Sequence, residues 1–500
     1  MVKEHVSYTQ KAVKGITHVS ILLFISHVLS YILRVVLARQ LTPEEYGLFS
    51  AVFELVLFLL VFRDFGLGNA LVKFIPQYKH TENYSKIKTM ILSAGVLQLI
   101  ASLLLIAILI FMAPYLSVHY FKSGEAKNLL IVLSWYILFS MLARLLDNIL
   151  NGFQEVKWYS WTQTLKIGFT VIFSIVLIYY GFGIMSPAIA YIIALFLTFL
   201  ILAKGASKYV FIWKYPLTDV WKTTKEVFTF AGAVIFTGLG NKVVAHLDVL
   251  ILTYFVPLTQ VGVYNVVLPT ALLFLFIPRA VTMVLFPMTS ELWAKNDVKR
   301  ISEGVRLIHT YLLFLTQPFV FAVFVYAEEF ITLFFGQEYV SGALAFQILL
   351  FGVLLEVISA ANESVISASG RPYKVTVIIL ISAAVNVVLN FILIPQYGIV
   401  GAAIATAASY GTALILSTYT ILTFVKVSSP FGIWIKSLFA GVLFLITLNV
   451  VKQTIVMFPL IIQVLISLVA AVAVYGVIGY WLRIVYWKEI KKYASLLLKK

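Results

Sequence analysis

Apolar runs of about twenty residues, the length that crosses a bilayer as a helix, alternate along this chain with short polar turns. Fourteen are counted, near 15–38, 47–63, 89–112, 128–150, 162–180, 187–203, 227–254, 262–290, 304–327, 343–366, 375–394, 400–424, 435–452 and 460–484. The first run is not uniformly apolar. Ser20, His27 and Arg34 recur every seven residues, nearly two helical turns, and Ser30 and Tyr31 fill the same face. Such a stripe is costly against lipid, so it predicts a helix that faces protein or water. The hydrophilic turn Arg39 to Gly47 separates it from the second run. The pattern predicts an all-α integral membrane protein with fourteen transmembrane helices.

Composition agrees: 62% of the 500 residues are hydrophobic and 12% charged, which is the balance of a chain buried largely in a bilayer. The first run is too long for a cleaved signal and reads as a retained first span. Without cysteine there are no disulfides, thiolate metal sites or cysteine nucleophile. The formal charge of +16 gains meaning from its placement. With the N-terminus inside, the outer loops hold only Arg39, Lys122, Lys127 and Lys452, and the inner segments hold most of the other cations. That asymmetry predicts both termini on the cytoplasmic side of a cell membrane. Eight of the nine tryptophans fall at inner ends, as interfacial anchors do. Anionic membrane lipid accounts for the basic charge, and nucleic acid is not needed.

The chain also repeats itself. Gly47 and Gly262, each opening a span, stand 215 residues apart, as do Ala188-Ile189-Ala190 and Ala403-Ile404-Ala405. Tyr180-Gly181 matches Tyr397-Gly398 at 217, and Lys157 matches Lys374 at the same offset. A repeat of six spans keeps its orientation, which predicts two parallel six-helix lobes, spans 1–6 and 7–12, facing a central cavity. The domains are then 1–203 for the N-lobe, 204–226 for a basic, aromatic connector on the inner leaflet, and 227–424 for the C-lobe. Residues 425–484 carry two further spans, and 485–500 form a cytoplasmic basic tail.

With Lys166, Arg306, Lys436 and Arg483 assigned to the inner segments they adjoin, five cations are counted within spans: Arg34, Arg63, Arg144, Lys242 and Arg279. Facing lipid at mid-depth they would cost roughly 2.5–3.5 kcal/mol each. They therefore snorkel, pair or line water; Arg63, beside Asp64 near an inner end, suits the first two. Asp147, Asn148 and Asn151 follow Arg144 on one face of span four, where an internal Arg144–Asp147 pair is the plainer alternative. Span seven carries Asn241, Lys242, His246 and Asp248, and span ten carries Glu356, Asn362 and Glu363. Asn386 and Asn390 read as helix-to-helix hydrogen bonding, and Gly401, Ala405, Ser409 and Ala413 as close packing. Pro269, Pro278 and Pro287 bend span eight, as a hinge or as a fixed kink. There is no G-x-x-x-x-G-K-[ST] loop for ATP, and no outer loop of catalytic size.

LARQLTPEEYGLFSAV, FRDFGLGNALVKF, LDVLILTYFVPLTQVGVYNVV and ISASGRPYKV, set on this span pattern, resemble the polysaccharide transporter branch of the multidrug/oligosaccharidyl-lipid/polysaccharide exporter superfamily. The resemblance extends over nearly the whole chain. It implies a flippase, not an enzyme, that carries a polyprenyl-diphosphate-linked oligosaccharide from the cytoplasmic to the outer leaflet by alternating access. Arg34, Arg144, Lys242 and Arg279 are then expected to attract the diphosphate, and Asn148, Asn151 and Asn241 to hydrogen-bond sugar hydroxyls. Asp147, Asp248, Glu356 and Glu363 balance charge or hold a coupling cation, H+ or Na+; no other cofactor and no metal is expected. Glycan-assembly enzymes are expected partners alongside membrane lipids. The alternatives are a cation-coupled multidrug exporter of the same superfamily and a membrane glycan polymerase or ligase.

Overall fold

The computed structural model describes residues 2–64, 66–425 and 430–484, without the side chains of 2–20, 156–157, 159–160, 233–245 and 430. Ser20, Asn241 and Lys242 therefore fall outside the described side chains, and the basic tail falls outside the described residues. Every regular element among the described residues is helical. Twelve of the described helices are long and apolar enough to cross a membrane, so the chain is a multi-pass membrane protein. It divides into two compact units, Met1–Asn265 and Val266–Lys500.

The first unit is built from α1 (Val2–Gln40), α2 (Pro43–Asp64), α3 (Leu67–His80), α4 (Tyr84–His119), α5 (Glu125–Gly152), α6 (Val156–Tyr179), α7 (Met185–Ala206) and α8 (Val220–Phe255). The turn after the striped first helix is a capping box. Thr42 N–H donates to Glu45 Oε2 at 2.8 Å, and Glu45 N–H donates to Thr42 Oγ1 at 3.2 Å, with Pro43 in the first helical turn. Asn83 caps α4 in the same manner, accepting from Lys86 N–H. The helix α3 lies in a segment that the apolar-run pattern leaves as an inner turn. Its Leu67, Ala70, Leu71, Phe74 and Ile75 keep helical spacing and pack with Ile87, Met90 and Ile91 of α4, Ile149 of α5, and Val227 and Ala231 of α8. It is amphipathic and too short to span, so it carries no twenty-residue signal.

The connector follows α7 as a 3-10 segment, Ser207–Lys214, and turns extended at Tyr215. It is fastened to the N-terminal end of α4 and the C-terminal end of α5. Tyr209 stacks on Phe153 with centroids 3.8 Å apart and donates to Glu155 Oε1 at 2.8 Å. Lys208 pairs with Glu155 and, through that bond, holds its carboxyl below the usual carboxylate range. Lys88 Nζ donates to the carbonyls of Trp213 and Tyr215. Trp213 and Trp221 are left exposed, as side chains at a headgroup layer are.

The helix α9 (Leu258–Leu272) begins in the first unit and continues, through a 3-10 turn at Leu273–Leu275, into α10 (Phe276–Ala294) of the second. Pro278 lacks the N–H that would bond Phe274 C=O, and its ring crowds that carbonyl, so the helix tightens between Pro269 and Pro278. The second unit continues with α11 (Val298–Val325), α12 (Ala327–Phe334), α13 (Ala343–Ala368), α14 (Pro372–Leu422), α15 (Pro430–Thr454) and α16 (Leu460–Trp481). The 51-residue α14 is divided at Gly398, whose φ of 54° and ψ of −131° leave the helical region. Its repeat partner Gly181 also has positive φ, 81°. Both turns need glycine because a Cβ crowds the backbone at these angles.

The other glycine pair of the repeat has a different role: Gly47 and Gly262 meet. A methyl group on Gly47 would sit 1.9 Å from Leu258 O, and one on Gly262 would sit 2.0 Å from Pro43 O. The backbones of α2 and α9 can approach this closely only because both positions lack a Cβ. Replacing Gly262 with Ala should force the helices apart and lower stability by about 1–3 kcal/mol. Gly124→Ala, where nothing lies within 4 Å, should change little. Thermal unfolding of the purified protein in one detergent distinguishes the two.

Candidate functional site

Five charged residues of the first unit, together with His246, line one cavity of about 300 Å³. The helix α2 contributes Leu57, Leu60, Val61, Arg63 and Asp64 from its last two turns. The helix α5 contributes Tyr136, Ser140, Ala143, Arg144 and Asp147, a spacing of three and four that keeps them on one face. Thr162, Gln163 and Lys166 come from α6, Leu195 and Thr198 from α7, and His246 from α8.

Arg63 does not snorkel to an interface. It is 4% exposed, and its Nη1 donates to Ser140 Oγ at 2.6 Å and to Ile137 O at 3.2 Å. Standing in the last turn of α2, it also meets the negative end of that helix. Both carboxylates are already engaged. Asp64 accepts from Gln98 Nε2 at 3.0 Å, and Asp147 accepts from Thr162 Oγ1 at 2.9 Å. Asp147 acts on both Arg144 and Lys166 through space, so the internal Arg144–Asp147 pairing is shared with Lys166. Among the described residues Arg144 and Lys166 have no hydrogen-bond partner. Three cations thus face two carboxylates that other donors already hold. In a medium of low dielectric this excess is unfavourable until an anion enters, and the free Arg144 and Lys166 donors are placed to receive one.

A second polar contact borders this cavity. His246 Nδ1 lies 2.5 Å from Glu54 Oε2, joining α8 to α2. Tyr191, within electrostatic reach of Glu54, belongs to an aromatic cluster in which the Phe53 ring stacks on it at 4.6 Å and lies edge-on to Tyr136 at 5.2 Å.

The other candidates are dispersed. Arg34 is half-buried on α1 with its Nε unpartnered and stands outside the cavity lining. His27, of the same stripe, is exposed and bonds only to Leu23 O within its own helix. Asn148 turns toward α3, where its Nδ2 would lie 2.2 Å from a Cβ on Gly68. Asn151 is half-buried beyond the cavity, and Asp248 is buried on α8. In the second unit Arg279 is exposed on α10, within electrostatic reach of Glu356. Glu363 accepts from Ser359 Oγ at 3.2 Å. Asn362 is structural: its Oδ1 contacts His309 Nε2 at 2.7 Å, and its Nδ2 donates to Ser417 and Thr418. Asn390 donates to Asn386 at 3.1 Å in the packed interior. Pro278 is buried, and Pro287 is exposed.

The geometry separates two arginines that look alike in sequence. Arg63→Ala should cost roughly 1.5–3 kcal/mol, because it strips a buried acceptor pair of its charged donor. Arg144→Ala should leave the unfolding temperature nearly unchanged. A thermal-shift series on both variants checks this.

Residues 12–293 match the family described as polysaccharide biosynthesis protein. An uncharacterized membrane protein of Methanocaldococcus jannaschii is 30% identical over 99% of this chain and the whole of its own length. The protein of Haloferax volcanii named "Probable low-salt glycan biosynthesis flippase Agl15" is 26% identical over 79% of this chain and 80% of its own. Among solved structures, the lipid II flippase MurJ in an inward closed conformation superposes with a TM-score of 0.74 at 19% identity, covering 93% of this chain and 98% of that one. At that identity the likeness bears on the fold. The chain therefore belongs to the polysaccharide biosynthesis protein family.

Proposed function

We propose that the protein is a flippase that carries a polyprenyl-diphosphate-linked oligosaccharide from the cytoplasmic to the outer leaflet of the cell membrane by alternating access. The single observation that carries this reading is the cavity of the first unit, where uncommitted Arg144 and Lys166 stand over carboxylates already bonded elsewhere. A diphosphate is the anion that such a site suits: two phosphates offer acceptors to a guanidinium fork and an ammonium together. A volume near 300 Å³ fits a headgroup fragment better than a whole glycan, so the sugars occupy space beyond it. Arg34, Lys242 and Arg279 extend the positive route, and Asn148, Asn151 and Asn241 offer amides to sugar hydroxyls. Asp147, Asp248, Glu356 and Glu363 balance these charges or hold H+ or Na+.

Movement is assigned to two six-helix lobes, with the 3-10 turn between Pro269 and Pro278 as the hinge of span eight. Twelve candidate spans, the division of α14 at Gly398 and the length of α8 support fourteen crossings in all. The excess of cations also argues against the drug-exporter alternative, since cationic drugs call for uncompensated carboxylates.

Reconstitution tests the reading directly. Vesicles holding the protein should move a fluorescent polyprenyl-diphosphate glycan, and Arg144→Ala or Lys166→Ala should slow that movement at least about tenfold, the loss of one charge-assisted bond. Drug efflux or glycan lengthening by the same vesicles would overturn it. Orientation is accessible because the natural chain has no cysteine. Single cysteines replacing Lys122 or Lys452 should react with an impermeant thiol reagent on intact cells, and one replacing Lys374 only after permeabilisation.

A further inference from the structure

The contact between α2 and α8 has a property that no other bond at the cavity shares: one partner is a histidine. We propose that Glu54 and His246 form a proton-binding site whose occupancy is linked to that of the cavity, so that a proton is taken up as an anionic headgroup binds. The 2.5 Å separation places a proton on or between His246 Nδ1 and Glu54 Oε2. With Nδ1 committed, the exchangeable proton is the one on the second ring nitrogen, and the ring lines the cavity, so water there can deliver it. The two side chains are 21% and 23% exposed, accessible yet held.

The surrounding charges give the linkage its sign. Tyr191 of α7 lies within electrostatic reach of Glu54, and also of Tyr46 of α2, Arg34 of α1 and Tyr136 of α5. Around His246 the cavity presents Arg63 and Asp64 of α2, Arg144 and Asp147 of α5, and Lys166 of α6. Asp248 follows two residues later on α8, and the side chain of Lys242 lies outside the described residues. Glu54 favours the imidazolium, whereas in the empty cavity Arg63, Arg144 and Lys166, facing the already bonded Asp64 and Asp147, oppose a further positive charge there. A bound dianion reverses that field and favours the imidazolium. By reciprocity, protonation then tightens anion binding by the same factor. A pair serving only to join helices would need no titratable member, and α8 has other ties to the unit. Tyr120 Oη donates to Leu250 O at 2.6 Å, and Glu226 pairs with Lys86 at 3.0 Å.

The linkage rests on reading the cavity as a diphosphate site; the proton site itself does not. The test follows the imidazole of His246 by nitrogen NMR in nanodiscs between about pH 5 and 8, its signal assigned by its loss in His246→Gln. The probe is P1,P2-dimethyl diphosphate, a diester whose charge is constant over that range. Saturating probe should move the titration of His246 upward by about one pH unit, a tenfold change in proton affinity. In the empty protein Glu54→Gln should move it downward. Probe binding that leaves the titration in place overturns the linkage. Failure of the probe to bind at all counts against the diphosphate reading instead. A titration that Glu54→Gln does not move overturns the proton site whatever the probe does.

Discussion

Charge in a low-dielectric medium is the constraint on which the rest of this structure depends. A cation facing lipid at mid-depth costs several kcal/mol, and a chain with many such residues tolerates them only where protein or water replaces the lost solvation. The first unit meets that requirement by concentration. Arg63, Arg144 and Lys166, from three helices, share one cavity with Asp64, Asp147 and His246. Arg63 is solvated by Ser140 Oγ and a backbone carbonyl, while Arg144 and Lys166 are left to the cavity's contents. The same field that makes the empty cavity unfavourable for more positive charge makes it favourable for an anion.

Holding those helices in register falls to residues with little or no side chain. Gly47 and Gly262 let two backbones touch, and Gly181 and Gly398 supply positive φ where one span turns into the next. In lipid there is no hydrophobic drive between helices, so close backbone contact and interhelical hydrogen bonds carry association instead. The Asn362 cluster with His309, Ser417 and Thr418 in the second unit is of the second kind. The short helix α3 and the connector brace α4, α5 and α8 through ordinary apolar burial and the Tyr209–Phe153 stack.

The repeat joins these observations. Two of its pairs have a described conformation or contact: both turn glycines have positive φ, and the two span-opening glycines press on each other. Yet α8, which the repeat places at the head of the second half, packs on α2, α3 and α4 of the first unit. Sequence equivalence fixes what an element resembles, whereas contact fixes what it moves with.

By itself the sequence determined an all-helical, multi-pass membrane protein and its family, because each rests on local hydropathy or on motifs along one chain. It also marked Arg144 and Asp147, whose spacing places them on one helix face. For Arg63 it offered snorkelling or an ion pair, where the structure shows a buried guanidinium bonded to Ser140 and Ile137 O, and it left Lys166 with the inner turn because it lies near the start of its span. Glu54 gave no signal at all. A lone carboxylate in an apolar run has no periodicity, and its partner His246 is 192 residues away. Only the tertiary structure decided which of the scattered charges face one another, since pairing across helices depends on rotation and depth, which hydropathy does not encode.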